Sequence, residues 1–208
     1  MKGDKILIKA IHKKKAKNIL KQLKINPKMI IAIGGESGTG KTEVATVLRD
    51  LLYTLGYRVN ILSLDDYYLT LPEERVAERQ KSDYTKVGIV EIDWNFVHSI
   101  VEKYLRKIPR NIWCQRTNRY TNAVEGVQWN SKDVDILIIE GLFAGYLELP
   151  CVKVHIEGSI KDTLAFRVKR GKEKPGSHRN KVLKIEKREV KKLKKNADLI
   201  VTLEGVVK

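Results

Sequence analysis

Gly35-Glu36-Ser37-Gly38-Thr39-Gly40-Lys41-Thr42 decides the reading of this chain. The stretch fits G-x-x-x-x-G-K-[ST] at every fixed position. It stands between an apolar run, Met29-Ile30-Ile31-Ala32-Ile33, and a segment whose Val44, Val47, Leu48 and Leu51 recur at helical spacing. Its glycines let the backbone curl so that successive N–H groups converge on one anion. Lys41 reaches the β- and γ-phosphates of a nucleotide, the helix start adds its positive dipole end, and Thr42 offers a hydroxyl to Mg²⁺. A glycine turn that binds nothing is the plain alternative, and it rarely comes with this strand before it and this helix after it.

Outward from the loop, the chain alternates strands and helices. The run at 29–33 is continuous, as in strands buried on both faces of a parallel sheet, and further strands are read at 58–64, 135–139, 152–156 and 199–201. Helices are predicted over 41–55, stopped by Gly56, and from an Asp93 cap to about Leu105, with an amphipathic helix over 15–24 and a basic one over 181–195. Residues 108–127 read as an extended hairpin, and the polar stretch 70–91, with one short helical turn at 73–80, reads as a functional loop. The expected fold is therefore α/β: a P-loop NTPase fold with a mainly parallel five-stranded sheet flanked by helices. Residues 1–28 are expected to form a basic N-terminal extension and 29–208 the P-loop domain.

A parallel sheet presents its chemistry at the carboxyl ends of its strands. Glu140 ends the strand Ile136-Leu137-Ile138-Ile139 and is placed to bind Mg²⁺ directly or through water; a plain surface glutamate is the alternative. Asp65 and Asp66 follow the second strand at the same edge. Adjacent carboxylates repel and diverge, so one is expected to face an acceptor hydroxyl as base, Asp65, and the other, Asp66, to serve the metal's water shell or a cap. Tyr67 and Tyr68 are candidates for the wall of an acceptor pocket, and equally for core residues.

Gly34 to Thr42, Ser63-Leu64-Asp65-Asp66-Tyr67-Tyr68, Glu91-Ile92-Asp93-Trp94 and Ile138-Ile139-Glu140-Gly141 together resemble the uridine kinase and phosphoribulokinase superfamily of P-loop kinases. The resemblance covers residues 29 to 202. It implies ATP and Mg²⁺ as cofactors, transfer to an alcohol, and Asp65 as the activating base. It also implies a helical lid near 160–180 that closes over ATP, carried here by Arg167 and Arg170 and less directly by Arg179. Two departures stand out. The lid reads Lys169-Arg170-Gly171-Lys172-Glu173-Lys174-Pro175-Gly176, looser than the arginine-rich lid of uridine kinases, and 70–91 lacks the acceptor-binding pattern expected of them. Asp83, Tyr84, Lys86, Arg116 and Arg119 are candidate acceptor contacts, each equally explicable as a salt-bridged surface residue.

Charge and composition limit the rest. A chain of 208 residues, 42% hydrophobic, fills one ordinary core, and its apolar runs are too short to span a bilayer. Without a signal-like start, a cytoplasmic location is expected. Cys114 and Cys151 lie too far apart in sequence for a C-x-x-C motif and are expected to be ordinary thiols. The net charge of +16 is concentrated at 1–28, net +9, and 161–195, net +11, around a body of net −3 at 29–160. Such flanks attract polyanions in a salt-dependent way, although lysine-rich faces also serve solubility or heat resistance. Three functions stay open: a kinase acting on a small metabolite such as a nucleoside, a kinase acting on an RNA hydroxyl held by the basic flanks, and a nucleotide-binding regulator without transfer. The oligomeric state is not readable.

Overall fold

In the computed structural model, which describes residues 6–106, 108–158, 162–164 and 176–208, the run at 29–33 becomes β1 (Met29–Gly35), buried along its whole length. β1 pairs in parallel with β5 (Ile136–Glu140) on one side and β6 (Val152–Ile156) on the other. β2 (Val59–Ser63) extends the sheet beyond β5, and β7 (Leu199–Val201) extends it beyond β6. The order β2-β5-β1-β6-β7 is that of five parallel strands, so every connection crosses over a face of the sheet.

Alternation along β1 and β5 divides the core into two layers. Ile31, Ile33, Ile136 and Ile138 pack with Val44 and Leu48 of α2 (Lys41–Thr54) and with Ala16 and Ile19 of α1 (Ala10–Gln22). Ile30, Ala32, Leu137 and Ile139 pack on the other face with Val97, Ile100 and Tyr104 of α4 (Trp94–Leu105) and Val190 of α5 (Ser177–Lys194). A strand with apolar side chains on both faces has nowhere to sit but between two helical layers, which is why its sequence shows no alternation.

Two smaller elements shape the site. α3 (Arg75–Lys81) stands in the polar stretch after β2, and a two-stranded antiparallel hairpin, β3 (Asn111–Asn118) with β4 (Ala123–Asn130), lies apart from the main sheet. The hairpin is attached through Ile112 and Cys114, which join the α4 layer. Asp93 caps α4 as expected, its Oδ1 accepting from the Phe96 amide at 3.0 Å.

α1 starts five residues before the predicted helix. Lys9 N donates to His12 Nδ1 at 3.1 Å and closes the first turn, and Ala16 is fully buried one turn before Ile19. Alanine and histidine carry little weight in an apolar pattern, so that half of the helix was not visible in the periodicity. Cys114 and Cys151 are free thiols. Among the described residues, no helix is long and apolar enough to cross a membrane.

Candidate active site

The glycine-rich loop leaves β1 at Gly35 and enters α2 through Gly40. At Gly35 a Cβ would stand 2.4 Å from the Ile156 carbonyl oxygen, so only glycine lets the loop pass this close to β6. Gly40 has φ +86°, and a Cβ there would meet the His12 ring at 2.7 Å. Lys41 folds back over the loop and donates from Nζ to the Glu36 carbonyl at 2.9 Å, while Thr39 Oγ1 donates to the same oxygen at 2.9 Å. Ser37, Gly38, Lys41 and Thr42 line a cleft of about 690 Å³, counted out to where it meets solvent. Gly35, Thr39 and Gly40 shape the loop behind it, and Glu36 faces a second cleft bordered by His155, Glu157, Thr202 and Leu203.

The sheet delivers two acids to the first cleft. Ser63 and Glu140 are register partners at the ends of β2 and β5, and Asp65 lies in the 3-10 turn just beyond Ser63. The Glu140 carboxylate is buried and accepts from Ser63 Oγ at 2.6 Å and Thr42 Oγ1 at 3.1 Å. Burial first, and then the Asp65 charge, push the Glu140 carboxyl above the usual carboxylate range, against Ser63 and Lys41, which pull it down. The donors beside the loop are hard oxygens: the Thr42 hydroxyl and the Glu140 carboxylate. They fit Mg²⁺ that keeps water and phosphate ligands, and no trio of His, Cys, Asp or Glu suited to a full protein cage occurs among the described residues.

The far wall comes from residues that no motif marks. Tyr68 lines the cleft with its ring under the Arg75 guanidinium, 3.7 Å from the ring centroid. Arg79, also of α3, grips Glu91 through two contacts of 2.6 and 3.0 Å and stands 3.5 Å from Glu186 of α5. Arg179 approaches Glu186 from the other side at 3.2 Å and reaches within 3.5 Å of Ser37 Oγ. Arg119, just past β3, completes this wall. Arg75, Arg79 and Glu186 were not anticipated. The signal was present only as a short helical turn in a segment of otherwise weak pattern.

Several anticipated residues lie elsewhere. Asp66 turns away from the cleft: its carboxylate accepts from the Thr117 amide at 2.9 Å and its carbonyl from Gln115 Nε2 at 2.6 Å, so it anchors the hairpin. Burial raises its pKa. Tyr67 is fully buried against Phe96, ring centroids 5.6 Å apart, and is a core residue. Asp83 pairs with Lys181 at the surface at 3.0 Å, and the Tyr84 hydroxyl meets His178 Nδ1 at 2.8 Å; both tie the segment after α3 to α5. Lys86 borders a neighbouring hollow, and Arg116 is exposed on β3. Arg167 and Arg170, with most of the expected lid, fall outside the described residues.

This geometry has known relatives. The chain is 25% identical over 194 residues to the bifunctional alpha-galactosidase/sucrose kinase AgaSK of Mediterraneibacter gnavus, with 86% of this chain and 20% of that protein covered. It therefore spans only a fifth of that relative's length. To a uridine kinase of Mycoplasma pneumoniae it is 26% identical, covering 83% of this chain and 84% of the relative. The fold superposes on phosphoribulokinase from Rhodobacter spheroides with a TM-score of 0.60 at 13% identity, over 84% of this chain and 69% of that one. The family model for phosphoribulokinase / uridine kinase matches residues 30–203, the span that contains the glycine-rich loop, Asp65 and Glu140. On that match the chain belongs to the phosphoribulokinase / uridine kinase family.

Proposed function

We propose that this chain is an ATP- and Mg²⁺-dependent kinase that moves the γ-phosphoryl group onto a hydroxyl of a small metabolite. The observation that carries this reading is the meeting of Asp65 with Lys41, Thr42 and Glu140 in one cleft. A nucleotide switch has use for the last three but none for a carboxylate beyond them. The uridine kinases among the relatives make nucleosides one group of acceptors to test.

In this reading Asp65 takes the proton from the acceptor hydroxyl as its oxygen bonds to Pγ, and the bond from Pγ to the β-phosphate oxygen breaks, leaving ADP. Lys41 and the loop amides hold the charge that accumulates on the leaving phosphates. Thr42 and Glu140 are the residues that would hold Mg²⁺, which supplies positive charge to the phosphate oxygens when bound. Arg179 stands by the loop at Ser37, where it can steady the transferring group. Arg167 and Arg170 are assigned the lid role by family resemblance. The nucleoside end of ATP is assigned to the second cleft, which shares Glu36 with the loop.

Product analysis with γ-labelled ATP tests the proposal. A screen of small alcohols, nucleosides and RNA is expected to give a labelled small acceptor, with the Lys41→Ala variant as blank, its transfer reduced by about 10³-fold or more. Label appearing only in free phosphate, or nucleotide that stays bound and unchanged, would refute it.

A further inference from the structure

Arg75 opens α3 on the wall of the cleft that holds Asp65. Its guanidinium covers the Tyr68 ring, and Nη2 donates to the Thr70 carbonyl at 3.1 Å. Among the described residues, its buried Nε has no hydrogen-bond partner and no carboxylate forms an ion pair with it. Two other arginines of this wall differ: Arg79 is held by Glu91 and Glu186, and Arg179 by Glu186. A guanidinium does not shed its proton at physiological pH, so Arg75 carries a charge withdrawn from water that Asp65 and Glu91 feel only from a distance, with no carboxylate among the described residues in direct contact. Burial accordingly lowers its pKa, although Tyr68 and Asp65 act to raise it.

Its place along the cleft says which substrate that charge serves. The glycine-rich loop, Lys41 and Arg179 form one end. Arg75 also borders the neighbouring hollow, with Thr70, Glu78 and Lys86, on the side away from the loop. Asp65 connects the two: its charge acts on Glu140, which is bonded to Thr42 of the loop, and on Arg75. A group bound at Arg75 therefore lies on the acceptor's side of the base, and Arg119 faces the same space.

We infer that the acceptor bears an anionic oxygen group, a carboxylate or a phosphate, which docks on the fork of Arg75 while its hydroxyl faces Asp65. The inference rests on the kinase reading given above. A planar guanidinium matches two oxygens of such a group at once, and the anion supplies the partner that Nε lacks. A neutral nucleoside or sugar brings no charge to this position, and among the described residues the cleft wall here offers one aromatic face, already covered by Arg75.

The test is acceptor binding measured by calorimetry on the full chain with Mg²⁺ and the non-hydrolysable ATP analogue AMP-PNP, followed by turnover with ATP. The panel holds hydroxycarboxylic acids, sugar monophosphates, and the neutral parent sugars and nucleosides. An anionic compound is expected to bind at least about tenfold more tightly than its neutral parent, and the acid and phosphate arms identify the group. Arg75→Met is expected to weaken that binding by about 10- to 100-fold. Arg75→Lys, which keeps the charge without the fork, is expected to fall between, and AMP-PNP affinity checks that both variants are folded. Equal or tighter binding of neutral parents, unchanged binding by Arg75→Met, or binding of no compound in the panel would each overturn the inference. AMP-PNP separates the two readings: if it binds with Mg²⁺ and only neutral acceptors are phosphorylated, the kinase reading stands alone; if it does not bind, both fall.

Discussion

Ser63 and Glu140 end two neighbouring parallel strands in register, and the Ser63 hydroxyl donates to the Glu140 carboxylate at 2.6 Å. The shared hydrogen bond fixes a buried acid beside Asp65, where burial and the second negative charge raise its pKa. Because the folded value lies above the unfolded one, the folded chain binds the proton more tightly. Stability therefore falls as pH rises from the ordinary value of 4.5 toward the raised one, and the cost is complete above it. Without nucleotide, Glu140→Gln is expected to melt higher than wild type at pH 8, by about 2–4 °C per kcal/mol relieved. The gap is expected to close toward pH 4.5. The same variant is expected to lose about 10²-fold in Mg²⁺-dependent transfer. Thermal melts across pH and a steady-state assay check both.

In the proposed reaction Asp65 takes the acceptor's proton, so its charge matters to the acceptor step more than to ATP. Asp65→Asn is expected to lower kcat by about 10²- to 10⁴-fold. AMP-PNP affinity is expected to stay within about threefold of wild type, since few contacts to the nucleotide are lost. A full-rate Asn variant would remove the base assignment.

His155 of β6 is buried, and its pKa falls to about 4, first through burial and then through the charges of Lys194 and Lys41. The ring is neutral in the folded chain, whereas the unfolded chain takes up a proton below about 6.5. Its contribution to stability is intact above pH 6.5 and is lost as pH falls from there to about 4, a change on the order of 3 kcal/mol. His155→Gln is expected to flatten urea-derived stability across that window. An unchanged slope would reject it.

Gly40 combines a left-handed φ with the His12 ring at its back, so Gly40→Ala meets two separate obstacles. The backbone alone costs about 1–2 kcal/mol. Gly40→Ala is expected to destabilise by more than that and to weaken AMP-PNP binding, and adding His12→Ala is expected to restore part of both losses. A double-mutant cycle by chemical denaturation measures the coupling.

How far the sequence carried the site depends on what fixes each side chain. Lys41, Thr42, Asp65 and Glu140 were legible because strand ends and a glycine loop set their positions with little help from tertiary packing. Asp66 and Tyr67 were not, because a 3-10 turn rotates successive side chains by a third of a circle. That turn sends Asp65 to the cleft, Asp66 to Thr117 and Tyr67 to Phe96. Arg75 and Arg79 lie about a hundred residues from Glu186, and only tertiary contacts such as the Arg79–Glu186 ion pair bring the two segments together. The parallel sheet was readable from its apolar runs, but its order was not, since equally apolar strands do not state their neighbours.

Arg79–Glu186, Tyr84–His178 and Lys181–Asp83 fasten the α3 segment to α5, which begins at Ser177 within the last residues of the expected lid. In the proposed reaction the two substrates thus share a wall. Any increase in acceptor affinity that ATP produces through these three ties must be returned as an equal increase in ATP affinity when the acceptor binds first. Substrate order then becomes a matter of rates, and synergy between the two ligands a measure of how stiff the fastening is.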